Sequence, residues 1–178
     1  MFTDKVIEAT NEVAELFISK TAIFLTESDF KVAMSNKIRE KFDKNITVNT
    51  ESPWYDNYIT NKTYFVDITA FDQNKLQITY DPTLNRKGYK YDDEALAVEL
   101  KYFRFERDIN EVSKDFDKTR LLIKSPKNEC FIIASARTIE IFDKANDFMQ
   151  SQLNLYEEEF KGRIKVFLIG PEQIIDLN

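Results

Sequence analysis

The spacing of apolar residues changes at residue 46, and this change limits the fold class. Up to Phe42, apolar residues recur every three or four positions, as on one face of an α-helix. From Ile46 they recur every second position, as in a β-strand, and after residue 108 helical and strand-like segments alternate. This order predicts an α/β sandwich around a mixed sheet that begins with antiparallel strands and gains parallel ones through the later helices.

The segments have definite predicted bounds. Helices are predicted over 4–19, 27–42, 108–123 and 138–160, and strands over 46–50, 63–71, 75–80, 95–103, 129–135 and 163–170. The stretch FDQNK predicts a hairpin turn, and residues 81–93 predict a polar loop. Without a repeat or linker, the chain is predicted to be a single domain, 1–178. Its expected parts are an N-terminal helical extension (1–25), a core (26–135) and a C-terminal helix and strand (136–178).

The residue types present exclude several kinds of active site. The 178-residue chain has no histidine and one cysteine, Cys130, inside an apolar run. Serine–histidine triads and nearly all zinc sites are therefore excluded, and a metal site would need oxygen ligands, which favour Mg²⁺ or Mn²⁺. The net charge of −6 argues against broad nonspecific binding of nucleic acid.

The expected location is the cytoplasm. Cys130 has no partner for a disulfide, so a reducing environment is the simplest expectation. No segment approaches the ~18 consecutive apolar residues of a membrane span, and no membrane partner is expected. The N-terminus also lacks the basic-then-apolar order of a signal peptide.

Charged residues interrupt two apolar, strand-like segments. In EALAVELKYFR (94–104), Glu99 and Lys101 lie two positions apart and therefore project from the same face of a strand. Upstream, Asp67 interrupts the run YFVDI, and strand pairing could bring it beside Glu99. Two carboxylates in a partly buried site repel each other unless a cation lies between them. Mg²⁺ suits such a pair, and a neighbouring lysine can orient a metal-bound water for phosphodiester hydrolysis.

These segments resemble the PD-(D/E)XK nuclease superfamily, of which the chain looks like a small stand-alone member. VDITAFD is similar to the family's proline–aspartate–apolar strand, with Val66 where proline often stands, and ALAVELKYFR resembles its E-x-K strand. TESDFKVAMSNKIREKF resembles the first core helix, and VSKDFDKTRLL resembles the helix that follows the E-x-K strand. The resemblance covers residues 26 to about 135 and implies a restriction-endonuclease-like core of order α-β-β-β-α-β.

The resemblance also implies an activity and its residues. A Mg²⁺- or Mn²⁺-dependent nuclease acting on nucleic acid, with DNA as the expected substrate, would use Asp67 and Glu99 as metal ligands. Lys101 would be the catalytic group that orients water. Glu27 fits the further glutamate of the first helix, with Glu40 as the second choice. The charges that match those of the following helix, Asp115 and Lys118, would support the site. Double-strand cleavage would suggest a homodimer, and a protein partner could supply targeting.

Each candidate residue also has a structural interpretation. Glu99 and Lys101 could lie on the wet face of an edge strand, Glu27 could complement a helix dipole, and Asp72 suits a turn. Asp115 and Lys118, three residues apart, would stabilise a helix surface in any case.

One basic loop is the candidate contact to nucleic acid. In NRKGYK (85–90) the candidate residues are Arg86, Lys87, Tyr89 and Lys90, although a solvated hairpin loop would look the same. Two other functions remain open for the whole chain. One is a catalytically silent nuclease fold that serves interaction or regulation, and the other is an unrelated small α/β binding protein.

Overall fold

The structure, a computed structural model, describes residues 2–55, 63–81, 86–91 and 93–178. Its helices are α1 (Phe2–Ile18), α2 (Glu27–Lys41), α3 (Ser113–Leu122), α4 (Ile139–Leu153) and α5 (Glu158–Lys161). Its strands are β1 (Ile46–Tyr55), β2 (Thr63–Asp72), β3 (Leu76–Asp81), β4 (Arg86–Tyr91), β5 (Ala95–Phe103), β6 (Asn128–Ala136), β7 (Ile164–Ile169) and β8 (Ile174–Asp176). The 3₁₀ segments are Gln73–Lys75 and Glu106–Val112. The predicted α/β class is confirmed.

Six strands form one mixed, open sheet in the order β1-β2-β5-β6-β7-β8. β1, β2 and β5 pair antiparallel, β5, β6 and β7 pair parallel, and β8 is antiparallel to β7. Parallel neighbours need a crossover, which α3 supplies between β5 and β6, and α4 with α5 between β6 and β7. β5 therefore lies in the middle of the sheet, where the antiparallel part meets the parallel part.

Both faces of β5 are covered. Leu96, Val98 and Leu100 belong to the apolar cluster that α1 and α2 complete, whereas Ala97 and Phe103 belong to the cluster that α3 and α4 complete. Such coverage is what the nearly continuous apolar runs of β5 and β6 predict. Any charged side chain on β5 must therefore be accommodated between packed layers.

The first core helix begins as its sequence indicates. The Thr26 hydroxyl accepts the Asp29 backbone N–H at 3.2 Å, and the Asp29 carboxylate accepts the Thr26 N–H at 2.9 Å. This reciprocal capping box places Glu27 in the first turn of α2, close to the sheet.

Three local predictions are wrong. β2 and β3 do not form a hairpin, because β2 pairs with β1 and β5 while β3 pairs with β4 in a separate two-stranded sheet. The predicted loop 81–93 contains β4, and its residues 82–85 and 92 lie outside the described residues. The predicted helix 138–160 ends at Leu153, after which Tyr156 is buried and donates to the Phe116 carbonyl at 2.9 Å. The chain leaves the helix after Leu153, and the Tyr156 ring is buried against α3.

Two further differences concern the predicted helix 108–123 and the C-terminus. The helix begins as the 3₁₀ segment Glu106–Val112 and becomes α-helical at Ser113. The short strand β8 follows β7, and the sequence pattern did not predict it. Among the residues that the structure describes, no helix has the length and apolar character needed to cross a membrane.

Two glycines provide a matched test of the packing of α4 on the sheet. A Cβ atom added at Gly170 would lie 2.5 Å from Cδ2 of Phe142, whereas one added at Gly162 would meet no atom within 4 Å. We expect Gly170→Ala to lower the free energy of unfolding by about 1–3 kcal/mol through overpacking. Gly162→Ala should be neutral or slightly stabilising, and chemical denaturation of the two variants would measure the difference. Equal stabilities would contradict the close approach of Phe142.

Candidate functional site

Asp67 lies where two strands of the sheet separate. β2 pairs with β1 from Thr63 to Asp72 except at Asp67, but it pairs with β5 only from Ile68 to Phe71. The next residue towards the β2 N-terminus is Asp67, whose Oδ2 accepts the backbone N–H of Leu100 at 2.8 Å. A side chain thus replaces a backbone carbonyl in the ladder between β2 and β5. The carboxylate is held at the point where β2 and β5 separate, which we call the fork, and 18% of the side chain is exposed.

A lysine of α2 binds the same carboxylate. Lys31 Nζ lies 2.8 Å from Asp67 Oδ1 and also binds Glu51 of β1. Glu51 has a φ of 53°, an uncommon conformation for a residue with a side chain. Burial lowers the pKa of Lys31, but the hydrogen bonds to Asp67 and Glu51 outweigh this effect and raise the pKa above its usual value. Lys31 is therefore a permanent cation at the fork.

Glu99 is almost completely enclosed. Its side chain is 1% exposed, and its Oε2 lies 2.6 Å from Lys118 Nζ of α3. Lys118 also donates to the Phe65 carbonyl at 2.7 Å, so this lysine joins α3 to both β2 and β5. The other oxygen, Oε1, is buried without a hydrogen-bond partner. A buried carboxylate oxygen without a partner is costly, and this one is available to a proton or a cation.

Burial controls the protonation of Glu99. Desolvation raises the pKa of the carboxyl to about 8, although Lys118 counteracts the shift, and the charges of Asp67 and Asp115 raise the pKa further. The Asp67 carboxylate binds the backbone N–H of Leu100, the residue that follows Glu99. Strongly shifted groups in such clusters are characteristic of functional sites, although ion-pair networks produce them too.

Lys101 lies next to a second pair of acids. Its Nζ is 3.4 Å from Glu27 Oε2 and 3.8 Å from Asp115 Oδ2. Burial lowers the pKa of Lys101, but the charges of Asp115 and Glu27 outweigh it and raise the pKa above its ordinary value. Burial also raises the pKa of Asp115 to about 6, and the Asp115 Oδ2 atom has no hydrogen-bond partner. Lys101 is thus a protonated amine between α2 and α3.

The structure brings the predicted residues together in one cluster. Four acids and three lysines from α2, β2, β5 and α3 compose it, and we call it the charged cluster: Glu27, Lys31, Asp67, Glu99, Lys101, Asp115 and Lys118. The sequence reasoning missed Lys31. The available signal was its spacing of four from Glu27, which places both on one face of α2.

The structure also decides between several alternatives. Glu99 and Lys101 do not lie on an edge strand with a face in water, because β5 is central and Glu99 is buried. The second-choice glutamate, Glu40, pairs with Lys37 on an exposed helix surface and is not part of the charged cluster. Asp72 accepts the Asn74 backbone N–H at 2.9 Å, as a turn residue does.

The basic segment between β3 and the E-x-K strand is partly described. Arg86, Lys87, Tyr89 and Lys90 lie on β4, which pairs with β3. The backbone of these residues is described and their side chains lie outside the described part of the structure. Their contact with nucleic acid stays a prediction.

The donor set can be compared with the needs of a divalent cation. Within residues 2–55, 63–81, 86–91 and 93–178, no group of three or more histidine, cysteine, aspartate or glutamate side chains is arranged to hold a metal ion. Mg²⁺ commonly uses only one or two protein carboxylates and keeps several waters. Asp67 and the unpartnered oxygen of Glu99 fit that smaller donor set, whereas Glu27 turns towards Lys101 and the Tyr102 N–H. The ligand role of Glu27 stays a prediction.

Comparisons with known proteins do not assign this chain to a family. No protein-family model, curated protein or solved structure matches it. The chemistry of the charged cluster must therefore be inferred from its own geometry.

The raised pKa of Glu99 predicts how stability changes with pH. The pKa rises from 4.5 in the unfolded chain to about 8 in the folded protein, so between these values only the folded protein holds the proton. Stability should therefore fall as pH rises through this range, and Asp115, raised from 3.8 to about 6, acts in the same direction. Between about pH 5 and about pH 8.5 we expect the free energy of unfolding to fall by roughly 2 kcal/mol. This loss corresponds to a drop of about 4–8 °C in the thermal midpoint.

A substitution isolates the contribution of Glu99. Glu99→Gln should remove most of this pH dependence, and Glu111→Gln, at an exposed acid, should leave it intact. Thermal unfolding across the pH range measures all three proteins. A wild-type profile that is flat or rises towards pH 8 would contradict the assignment.

Proposed function

We propose that this protein is a metal-dependent nuclease that hydrolyses phosphodiester bonds of nucleic acid, with DNA as the expected substrate. The observation that carries the proposal is the unpartnered Oε1 of Glu99, which is buried next to Leu100, whose backbone N–H binds the Asp67 carboxylate. A buried acceptor without a donor is the kind of atom that a cation satisfies.

Residues of two neighbouring strands would hold the metal. Asp67 and Glu99 would bind Mg²⁺ or Mn²⁺, which supplies a Lewis acid for phosphate oxygens and lowers the pKa of water. The Asp67 carboxylate is already oriented, because Leu100 N–H fixes its Oδ2 and Lys31 binds its Oδ1. Glu99 must lose its proton to bind a cation, so metal binding should release a proton below about pH 8.

Lys101 would act through its positive charge. The surrounding acids raise its pKa, so the amine stays protonated near neutral pH and cannot serve as the general base. A protonated amine can orient a water molecule and stabilise negative charge that develops on a phosphate. Asp115 and Glu27 position this amine at 3.8 Å and 3.4 Å.

The fold order supports a place in the PD-(D/E)XK superfamily, with a restriction-endonuclease-like core. Helix α2 is followed by the antiparallel neighbours β1, β2 and β5, then by α3 and the parallel strand β6. The order α-β-β-β-α-β is the one that the resemblance implies, once the β3–β4 pair is treated as an excursion. Asp67 and the E-x-K residues then lie on adjacent strands.

Cleavage and metal-response assays test the proposal. Plasmid, single-stranded DNA and RNA are incubated with Mg²⁺, with Mn²⁺ or with EDTA, and thermal unfolding is followed under the same conditions. We expect metal-dependent cleavage and metal-induced stabilisation, both lost in Asp67→Asn. The control is Asp72→Asn, at the turn end of the same strand. Absence of both responses in the wild-type protein would reject the nuclease.

A second candidate function is a catalytically silent nuclease fold used for interaction or regulation. The observation that favours it is that Lys31 and Lys118 already bind the two carboxylates that would hold the metal. In such a protein the charged cluster would be an internal ion-pair network, and neither cation would change its stability.

A further inference from the structure

Three arginines gather where β5 and β6 end. Arg104 directly follows β5, Arg107 lies one turn further, and Arg137 directly follows β6. The backbone N–H of Arg137 donates to the Phe103 carbonyl at 3.1 Å, which ties the two strand ends together. These are three of the seven arginines in a chain whose net charge is −6. Their placement concentrates arginine at one end of the sheet.

An exposed aromatic ring lies between two of these arginines. Phe105 is 43% exposed, and the guanidinium carbons of Arg104 and Arg107 lie 5.3 Å and 5.0 Å from its ring centroid. Asp108 fixes the loop, since its Oδ2 accepts the N–H groups of Arg104 and Phe105 at 3.0 Å and 2.9 Å. The backbone that carries the Phe105 ring and its neighbouring arginines is thus already ordered before any ligand binds. We call Arg104, Phe105, Arg107 and Arg137 the arginine–phenylalanine patch.

A cavity opens beside the ring. Its volume is about 210 Å³, and its lining includes Arg104, Phe105 and Thr138, the residue that caps α4. This volume is below the ~300–1,000 Å³ of pockets for drug-sized ligands, so the cavity has room only for a smaller group. Two carboxylates, of Glu106 and Glu140, also line the cavity, and Lys144 binds both, at 2.8 Å and 3.2 Å. Their repulsion of an anion is therefore reduced.

We propose that the arginine–phenylalanine patch binds single-stranded nucleic acid, with an unpaired base taking the place of a guanidinium group over the Phe105 ring and the neighbouring phosphates held by Arg104, Arg107 and Arg137. Aromatic rings bind bases through their faces, and arginines bind phosphates through paired N–H groups. The face of a base is free for stacking only when the base is not enclosed in a duplex, which is why the patch selects single strands.

The patch also has a position that relates it to the charged cluster. Arg104 follows Lys101 by three residues, so the patch begins at the C-terminal end of the strand that carries Glu99 and Lys101. The proposal in this form rests on the proposed nuclease function and specifies its substrate class. Binding itself needs no metal, because none of the patch residues belongs to the charged cluster.

Binding assays in EDTA test the patch without cleavage. Fluorescence anisotropy is measured with labelled oligothymidylate, with oligouridylate and with a DNA duplex of equal length, over a range of salt concentrations. We expect the single strands to bind more tightly than the duplex, and the two oligonucleotides show whether DNA or RNA is preferred. Phe105→Leu should weaken single-strand binding by at least about fivefold without changing the salt dependence.

Charge variants give the second readout. Arg104→Gln/Arg107→Gln should weaken binding and lower the slope of log affinity against log salt by about 1.4, the value for two lost phosphate contacts. The control, Lys44→Gln/Lys124→Gln, removes two exposed charges at the opposite end of the strands and should change neither quantity. Thermal unfolding verifies that every variant is folded.

The outcomes separate this proposal from the nuclease itself. Failure of the wild-type protein to bind single strands, equal effects of patch and control variants, or duplex binding as tight as single-strand binding would each overturn the patch. If binding depends on the patch but no metal-dependent cleavage occurs, the binding proposal stands and the nuclease proposal is rejected. If Phe105→Leu and Arg104→Gln/Arg107→Gln cleave nucleic acid as fast as the wild-type protein, the nuclease proposal stands and the proposed role of the patch is rejected.

Discussion

Lys118→Met should destabilise the protein by about 3 kcal/mol near pH 8.5, because it leaves the buried Glu99 carboxylate without its cation. Lys118 is the cation that neutralises Glu99, at 2.6 Å, and the Glu99 side chain is 1% exposed. For a chain of this size the loss corresponds to about 6–12 °C in the thermal midpoint. The loss should be smaller near pH 6, where Glu99, with its pKa raised to about 8, binds a proton instead.

The same variant separates the two candidate functions. In a metal site, Lys118 competes with the cation for Glu99, so Mg²⁺ or Mn²⁺ should stabilise Lys118→Met more than the wild-type protein. In a silent ion-pair network, neither cation should restore the lost stability. Thermal unfolding with and without metal, at both pH values, measures the effect.

The matched control for this experiment is an exposed lysine that also binds carboxylates. Lys144 contacts Glu106 at 2.8 Å and Glu140 at 3.2 Å on the surface of the protein. Lys144→Met should have little effect on the free energy of unfolding, because solvent screens exposed ion pairs. A comparable loss in both variants would contradict the special role of burial at Glu99.

Lys101→Met should lower the rate of metal-dependent cleavage by about 10²–10⁴-fold, the usual contribution of a positioned proton-handling or charge-stabilising group. The variant should keep the metal-induced stabilisation, since Lys101 contacts Glu27 and Asp115 rather than the two proposed ligands. Single-turnover cleavage and thermal unfolding, measured on the same preparation, give the two readouts.

The control for Lys101 is Lys114→Met, an exposed position on α3. It should leave the cleavage rate unchanged. Full activity in Lys101→Met would remove this lysine from the mechanism. Loss of both cleavage and metal response would assign it a role in maintaining the site rather than in handling water.

The fold class could be predicted because it depends on local periodicity. β5 was predicted at its observed bounds, 95–103, and α2 was predicted to within one residue, since strong apolar patterns and the Thr26 cap mark them. The partner of β3 could not be predicted, because alternation identifies a strand without identifying its neighbour. The end of α4 was missed for a similar reason. Tyr156 leaves the helix to reach Phe116, which is distant in sequence.

The sequence by itself determined which charged residues interrupt apolar strands, namely Asp67, Glu99 and Lys101, because alternation and burial are local properties of the chain. Only the tertiary structure decided which partners these residues have. The separation of β2 from β5 orients Asp67, α2 brings Lys31 to the Asp67 carboxylate, and α3 brings Lys118 to the Glu99 carboxylate. Pairing of this kind depends on elements that are far apart in sequence, and it sets the desolvation and the charge that govern Glu99.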